Sequence, residues 1–106
     1  MHVVKKEAFE TAKVLHPKYT KTIDDTYKVL DKSKPNNPEE LKKISPSLDN
    51  FKYVDKWYVI DLGGKKLRLI AFITFFGDGH FYVRHICTHA EYDKIVDEHS
   101  SKSKKK

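Results

Sequence analysis

The 106-residue sequence contains a single cysteine, Cys87, which excludes an intramolecular disulfide framework and fits a reducing compartment. No run approaches the roughly 20 apolar residues that span a bilayer. The N-terminal MHVVKKEAFETAK turns charged after its first four residues, unlike a secretory leader. The expectation is a cytoplasmic protein with no membrane partner. The length leaves no room for a second domain, and no internal repeat is visible. Convincing carboxylate clusters are missing too, which argues against a metal-dependent nuclease.

What is present is positive charge, unevenly spread. The formal charge is +6, but four lysines lie in the terminal SSKSKKK; without them 17 basic residues face 15 acidic ones. Residues 100–106 therefore read as a basic, disordered tail, either simply solvated or an electrostatic arm for phosphates. Residues 1–99 form the domain. Basicity alone is a weak argument for nucleic acid.

The first half of the domain has helical periodicity. After a β-prone His2–Val4, Ala8, Ala12 and Leu15 recur at helical spacing, with Phe9 beside them. His16-Pro17 breaks this helix, and Tyr19, Ile23, Tyr27 and Leu30 mark the buried stripe of the next. Asn37-Pro38-Glu39-Glu40 reads as the start of a short third helix, which Ser45-Pro46 ends. From Phe51 the period shortens to that of strands, over 51–54, 57–62, 67–76 and 81–87. The turns between them are expected at Asp55-Lys56, Gly63-Gly64 and Gly77-Asp78-Gly79. Thr88-His89-Ala90-Glu91 has the capping-box pattern and opens a short helix from 89 to about 98. Helices first and a meander afterwards define an α+β fold.

In the long strand Leu67, Leu69, Ala71, Ile73 and Phe75 point one way, while Arg68, Ile70, Phe72 and Thr74 point the other. A three-residue loop at 77–79 would set Arg68 opposite Thr88 and Phe72 opposite Arg84. Arg68, Arg84, His89 and Tyr92 would then gather on one surface, an arrangement that a one-residue slip of register would disperse. Such a group suits RNA cleavage without a metal. Histidine can exchange protons near neutrality, arginine can grip phosphate oxygens, and tyrosine can stack on a base or donate a proton. Each residue alone also has a plain structural use. Arg68 and Arg84 could be ion-pair partners, His85 could pack in the hairpin, and Cys87 reads as a small buried residue. His80, His85 and His89 do not have zinc-ligand spacing, and neither metal nor cofactor is expected.

Three segments together resemble the HigB toxins of bacterial type II toxin–antitoxin systems, within the RelE-like ribonucleases. They are MHVV, PSLDNFKYVDKWYVIDLGGKKLRLIAF and VRHICTHAEYDK. The resemblance reaches to about His99, and the combination of Gly63-Gly64, Leu67-Arg68-Leu69 and Thr88-His89-Ala90-Glu91-Tyr92-Asp93 makes it specific. It implies a RelE-like fold: N-terminal helices packed on a twisted antiparallel sheet, with a short C-terminal helix. It implies an mRNA interferase that cuts mRNA in the ribosomal A site and is silenced by a HigA-type antitoxin. By matching position, Arg68, His89 and Tyr92 are the implied catalytic residues. The strand lysines of RelE itself fall near Val59 and Asp61 here, so Lys56, Lys65 or Lys66 would supply that charge. Arg84 and His85 complete the expected RNA-binding set. The competing reading is a RelE-like module that occupies RNA or the ribosome without cutting.

Overall fold

The computed structural model describes the chain apart from residues 52–53, 63–65, 78 and 105–106, and for residues 100–104 it describes the backbone alone. The elements run β1 (His2–Val4), α1 (Lys6–Leu15), a 3-10 turn (Pro17–Tyr19), α2 (Thr20–Lys32), α3 (Pro38–Ile44), β2 (Asp49–Asn50), β3 (Trp57–Leu62), β4 (Leu67–Thr74), β5 (His80–Thr88) and α4 (His89–Lys104).

Local signals account for most boundaries. Pro17 opens the 3-10 turn that separates α1 from α2. The Asn37 side chain accepts a 2.9 Å hydrogen bond from the Glu40 amide and caps α3. At the head of α4 the box closes both ways. The Glu91 amide donates to Thr88 Oγ1 at 3.3 Å, and the Thr88 amide donates to Glu91 Oε1 at 2.9 Å. The helix runs on to Lys104, past the end expected near residue 98.

The strands form one five-stranded sheet in the order β1-β5-β4-β3-β2, with β4 at its centre. The expectation of a purely antiparallel sheet needs one amendment, because β1 pairs parallel to β5 along the edge. The strand expected at 51–54 is displaced. Pairing to β3 occurs at Asp49 and Asn50, Phe51 and Val54 lie outside any strand, and residues 52–53 fall outside the described set. Lys56, with φ 63°, makes the turn into β3. The expected Gly63-Gly64 turn lies outside the described residues, although Leu62 and Leu67 on either side of it are paired.

The β4–β5 register also differs from expectation. Thr74, not Phe76, pairs with His80, so residues 75–79 form the loop. Gly77 and Gly79 take positive φ there, 58° and 77°, a conformation glycine adopts without strain. A bulge between Ile70 and Ala71 then absorbs one extra residue of β5. The longer loop puts Phe72 opposite Tyr82 rather than Arg84, and loop and bulge together put Arg68 opposite Cys87 rather than Thr88.

One face of the sheet carries Leu62, Leu67, Leu69, Ala71, Ile73, Phe81 and Val83, all buried, against Phe9, Ala12, Ile23, Leu30 and Leu41 of the three helices. This is the main core. On the other face a smaller cluster of Phe51, Val59 and Ile70 is covered by Tyr92, Ile95 and Val96 of α4. The last helix thus shields only part of that second face. Among the described residues no helix is long and apolar enough to cross a membrane.

Candidate RNA-cleavage site

Arg68 stands on the second face because β4 alternates strictly and the first face takes its leucines. Asp61, directly across on β3, brings its Oδ1 within 3.3 Å of Arg68 Nε. That approach is an ion pair and not a well-aligned hydrogen bond, since among the described residues Nε has no partner of good geometry. The Arg68 guanidinium carbon also lies 4.5 Å from the centre of the Tyr92 ring. Arginine over an aromatic face is worth about 0.5–2 kcal/mol, rising with desolvation. Arg68 is therefore held from two sides, with its side chain 27% exposed.

Tyr92 reaches this position because the capping box starts α4 immediately after β5 and turns it back across the sheet. His89 is on the first turn of the same helix, three residues before Tyr92. Its Nε2 is buried and has no hydrogen-bond partner among the described residues. A buried imidazole nitrogen without a partner costs free energy that a bound ligand can recover.

The bulge in β5 has a consequence for this face that no local pattern announces. Arg84 and His85 are consecutive, yet both serve the second face. His85 is paired with Ile70, and the Arg84 guanidinium lies 5.7 Å from the Trp57 ring. Partial burial, then the neighbouring His99 and Arg84, hold the His85 imidazole below its ordinary pKa, with Glu98 opposing. His99 itself packs edge-on against Phe51 and Trp57, at 5.2 and 5.4 Å.

Cys87 faces Arg68 but is no nucleophile: burial, reinforced by Glu91, pushes its thiol up to about 11. Lys66 is exposed at the Arg68 end of β4, whereas Lys56 sits at the far end, where its carbonyl accepts from the Ile73 amide at 3.1 Å. Lys65 lies outside the described residues. The structure therefore brings Arg68 and Tyr92 into contact, puts His89 one helical turn away, and keeps Lys56 apart. Sequence reasoning passed over Asp61, although counting back from Leu62 and Leu67 across the glycine turn pairs it with Arg68. It also passed over Trp57 and His99, which pack beside Arg84 and His85. Among the described residues no three His, Cys, Asp or Glu side chains converge as a metal site.

A sheet with helices on one face and an arginine–tyrosine pair on the other is consistent with the RelE-like class of toxins. Residues 19–95 match the family HigB toxin, described as the RelE-like toxic component of a toxin–antitoxin system. Over 96 residues the chain is 43% identical to the mRNA interferase HigB of Escherichia coli O6:H1, covering 91% of this chain and 92% of that protein. It is 38% identical over 105 residues to the mRNA interferase toxin HigB of Escherichia coli K12, covering 99% and 100% of the two chains, and to the mRNA interferase HigB of Shigella flexneri to the same extent. The chain belongs to the HigB toxin family.

Proposed function

We propose that this protein is an mRNA interferase: it cuts mRNA in the ribosomal A site, needs no metal for the chemistry, and is neutralised by a HigA-type antitoxin. The observation that carries the reading is Arg68 held against Tyr92, with His89 one helical turn earlier on α4 and its buried Nε2 without a partner among the described residues. The names of the relatives give it its substrate.

In this reading a 2′-oxygen attacks the adjacent phosphorus and the bond to the 5′-oxygen breaks. The products are a 2′,3′-cyclic phosphate and a 5′-hydroxyl. One proton leaves the 2′-hydroxyl and another must reach the 5′-oxygen. His89 is suited to one of these transfers because imidazole works in both directions near neutral pH. Arg68 exchanges its loose pairing with Asp61 for the phosphate oxygens and stabilises the charge of the pentacoordinate species. Tyr92 stacks on a base or donates the other proton. Arg84, Lys65, Lys66 and, from the far end of β4, Lys56 attract the RNA backbone, His85 adds a hydrogen-bonding ring, and the terminal lysines extend that attraction.

Induced expression should arrest growth, and co-expression of the cognate antitoxin should restore it. Primer extension should then map cuts in translated messages. Equal cutting of naked and ribosome-engaged RNA would refute the ribosome dependence; ribosome binding without cuts would refute the cleavage. For the metal, a phosphorothioate at the scissile position is diagnostic. Rescue of its slow cleavage by a thiophilic ion would show that a metal contacts that oxygen, contrary to the proposal.

A further inference from the structure

The second face of the sheet continues beyond α4, and there it carries rings that neither hydrophobic cluster includes. Tyr82 and Phe72, facing each other across β5 and β4, have ring centres 5.6 Å apart. His80 is stacked on Tyr82 at 5.7 Å with an interplanar angle of 17°. His2, on the edge strand, meets His80 edge-on at 5.8 Å. Phe72, His80 and Tyr82 are half-buried and His2 is exposed. Burying them in the core cannot be their purpose, since the core lies on the other side.

We propose that Phe72, Tyr82, His80 and His2 form a stacking platform for the unpaired bases of single-stranded RNA. The inference rests on the cleavage reading for its substrate and adds a separate subsite to it. Charge favours this occupant. The strands β1, β4 and β5 contain no Asp or Glu at all, while they carry Arg68 and Arg84. The platform and the candidate site share this face, separated on β4 by Ile70, which is fully buried under α4. Phe72 follows Arg68 by four residues on β4, about 13 Å at the usual rise of a strand. The open route between them runs along β5, where Arg84 and His85 are exposed and the Arg84 guanidinium lies 5.7 Å from the ring of Trp57, the cross-strand partner of Phe72. A strand of RNA with its phosphate at Arg68 therefore reaches these rings with neighbouring bases.

The test is binding of the full chain to a short unstructured 2′-O-methyl oligoribonucleotide, which lacks the attacking hydroxyl, read by fluorescence anisotropy. A second oligonucleotide of equal length carries abasic sites. Base stacking of this kind predicts that Tyr82→Ala weakens binding of the first by about 5- to 100-fold. The abasic oligonucleotide should bind parent and variant alike. Tyr82→Phe should retain the affinity, and His2→Ala, at an exposed edge where folding is not at stake, should lose a few-fold. Ultraviolet crosslinking of the parent protein should place the RNA on peptides containing His80 and Tyr82. The proposal is overturned if the parent does not discriminate between the two oligonucleotides, or if Tyr82→Ala binds the first as the parent does. It is also overturned if Tyr82→Ala leaves RNA binding intact but abolishes antitoxin binding, which would make this a protein-docking face. Because the assay contains neither ribosome nor cleavable bond, loss of stacking and loss of cleavage are scored independently.

Discussion

The two faces of this sheet are built from the same strands and do opposite things. On one, Leu69, Ala71 and Phe81 are fully buried under α1, α2 and α3 in a core of apolar side chains. On the other, alternate residues of those strands include Arg68, Phe72, Tyr82 and His85, half covered by a single helix. The period of two along a strand separates the jobs: stability sits on one side, and polar or ring-bearing groups can be exposed on the other at little cost to the core. Ile70 and Val59 are the exception. They lie on the second face as a small apolar footing, and α4 docks on it, which positions Tyr92 over Arg68.

Substitutions on the first face should act on folding alone. Leu69→Ala removes a fully buried side chain and should cost about 2–5 kcal/mol. Denaturant unfolding checks it, and the cleavage rate per folded molecule should stay near that of the parent. A large catalytic defect in folded protein would break the division between the faces.

The hinge between the faces should respond less. Thr88→Ala removes half of the capping box and should cost about 1 kcal/mol. It should also loosen α4, so the cleavage rate falls with it. The Glu91 carboxyl is held below its ordinary value, chiefly by the Thr88 amide. Its contribution is therefore present above the ordinary carboxylate pKa and is lost as pH falls through the lowered one. The parent should therefore be more stable than Glu91→Gln at neutral pH, and the gap should close as an acid titration passes through that range.

The smallest effect belongs to His85. Its pKa is depressed in the folded protein, so the unfolded chain binds the proton first. The associated stability is complete above the ordinary histidine value of about 6.5 and declines as pH drops through the folded value. His85→Gln should flatten stability between mildly acidic and neutral pH. A parent already flat there would show that burial, with His99 and Arg84, does not depress the His85 imidazole.

Much of the first face was legible beforehand. The stripes Ala8, Ala12 and Tyr19, Ile23, Tyr27, Leu30, the Asn37 and Thr88 caps, and the alternation of 67–74 are each local patterns that the chain satisfies where they stand. The second face was less legible because it depends on register. The loop at 75–79 is longer than its two glycines suggested, and the bulge at Ile70/Ala71 has no local signature. Those departures moved Arg68 from Thr88 to Cys87 without moving it off its face, since that face is set by β4's own alternation. Tyr92 then meets Arg68 through the docking of α4 and not through strand pairing. The parallel edge made by β1 is likewise a long-range pairing that three residues of sequence cannot announce.

The central claim is that the group around Arg68 performs chemistry and does not merely pin α4 to the sheet. Single-turnover cleavage on programmed ribosomes, with folding and ribosome binding measured for each variant, tests it directly. His89→Ala should slow the chemical step roughly 10²–10⁴-fold if the imidazole moves a proton. Arg68→Ala should slow it about 10²–10³-fold, and Arg68→Lys should recover only part, because an ammonium lacks the forked geometry. Arg68→Ala should lower stability by about 0.5–3 kcal/mol, from the ring contact and the partly exposed ion pair together. Folded, ribosome-bound Arg68→Ala and His89→Ala proteins that cut at the parental rate would contradict the account.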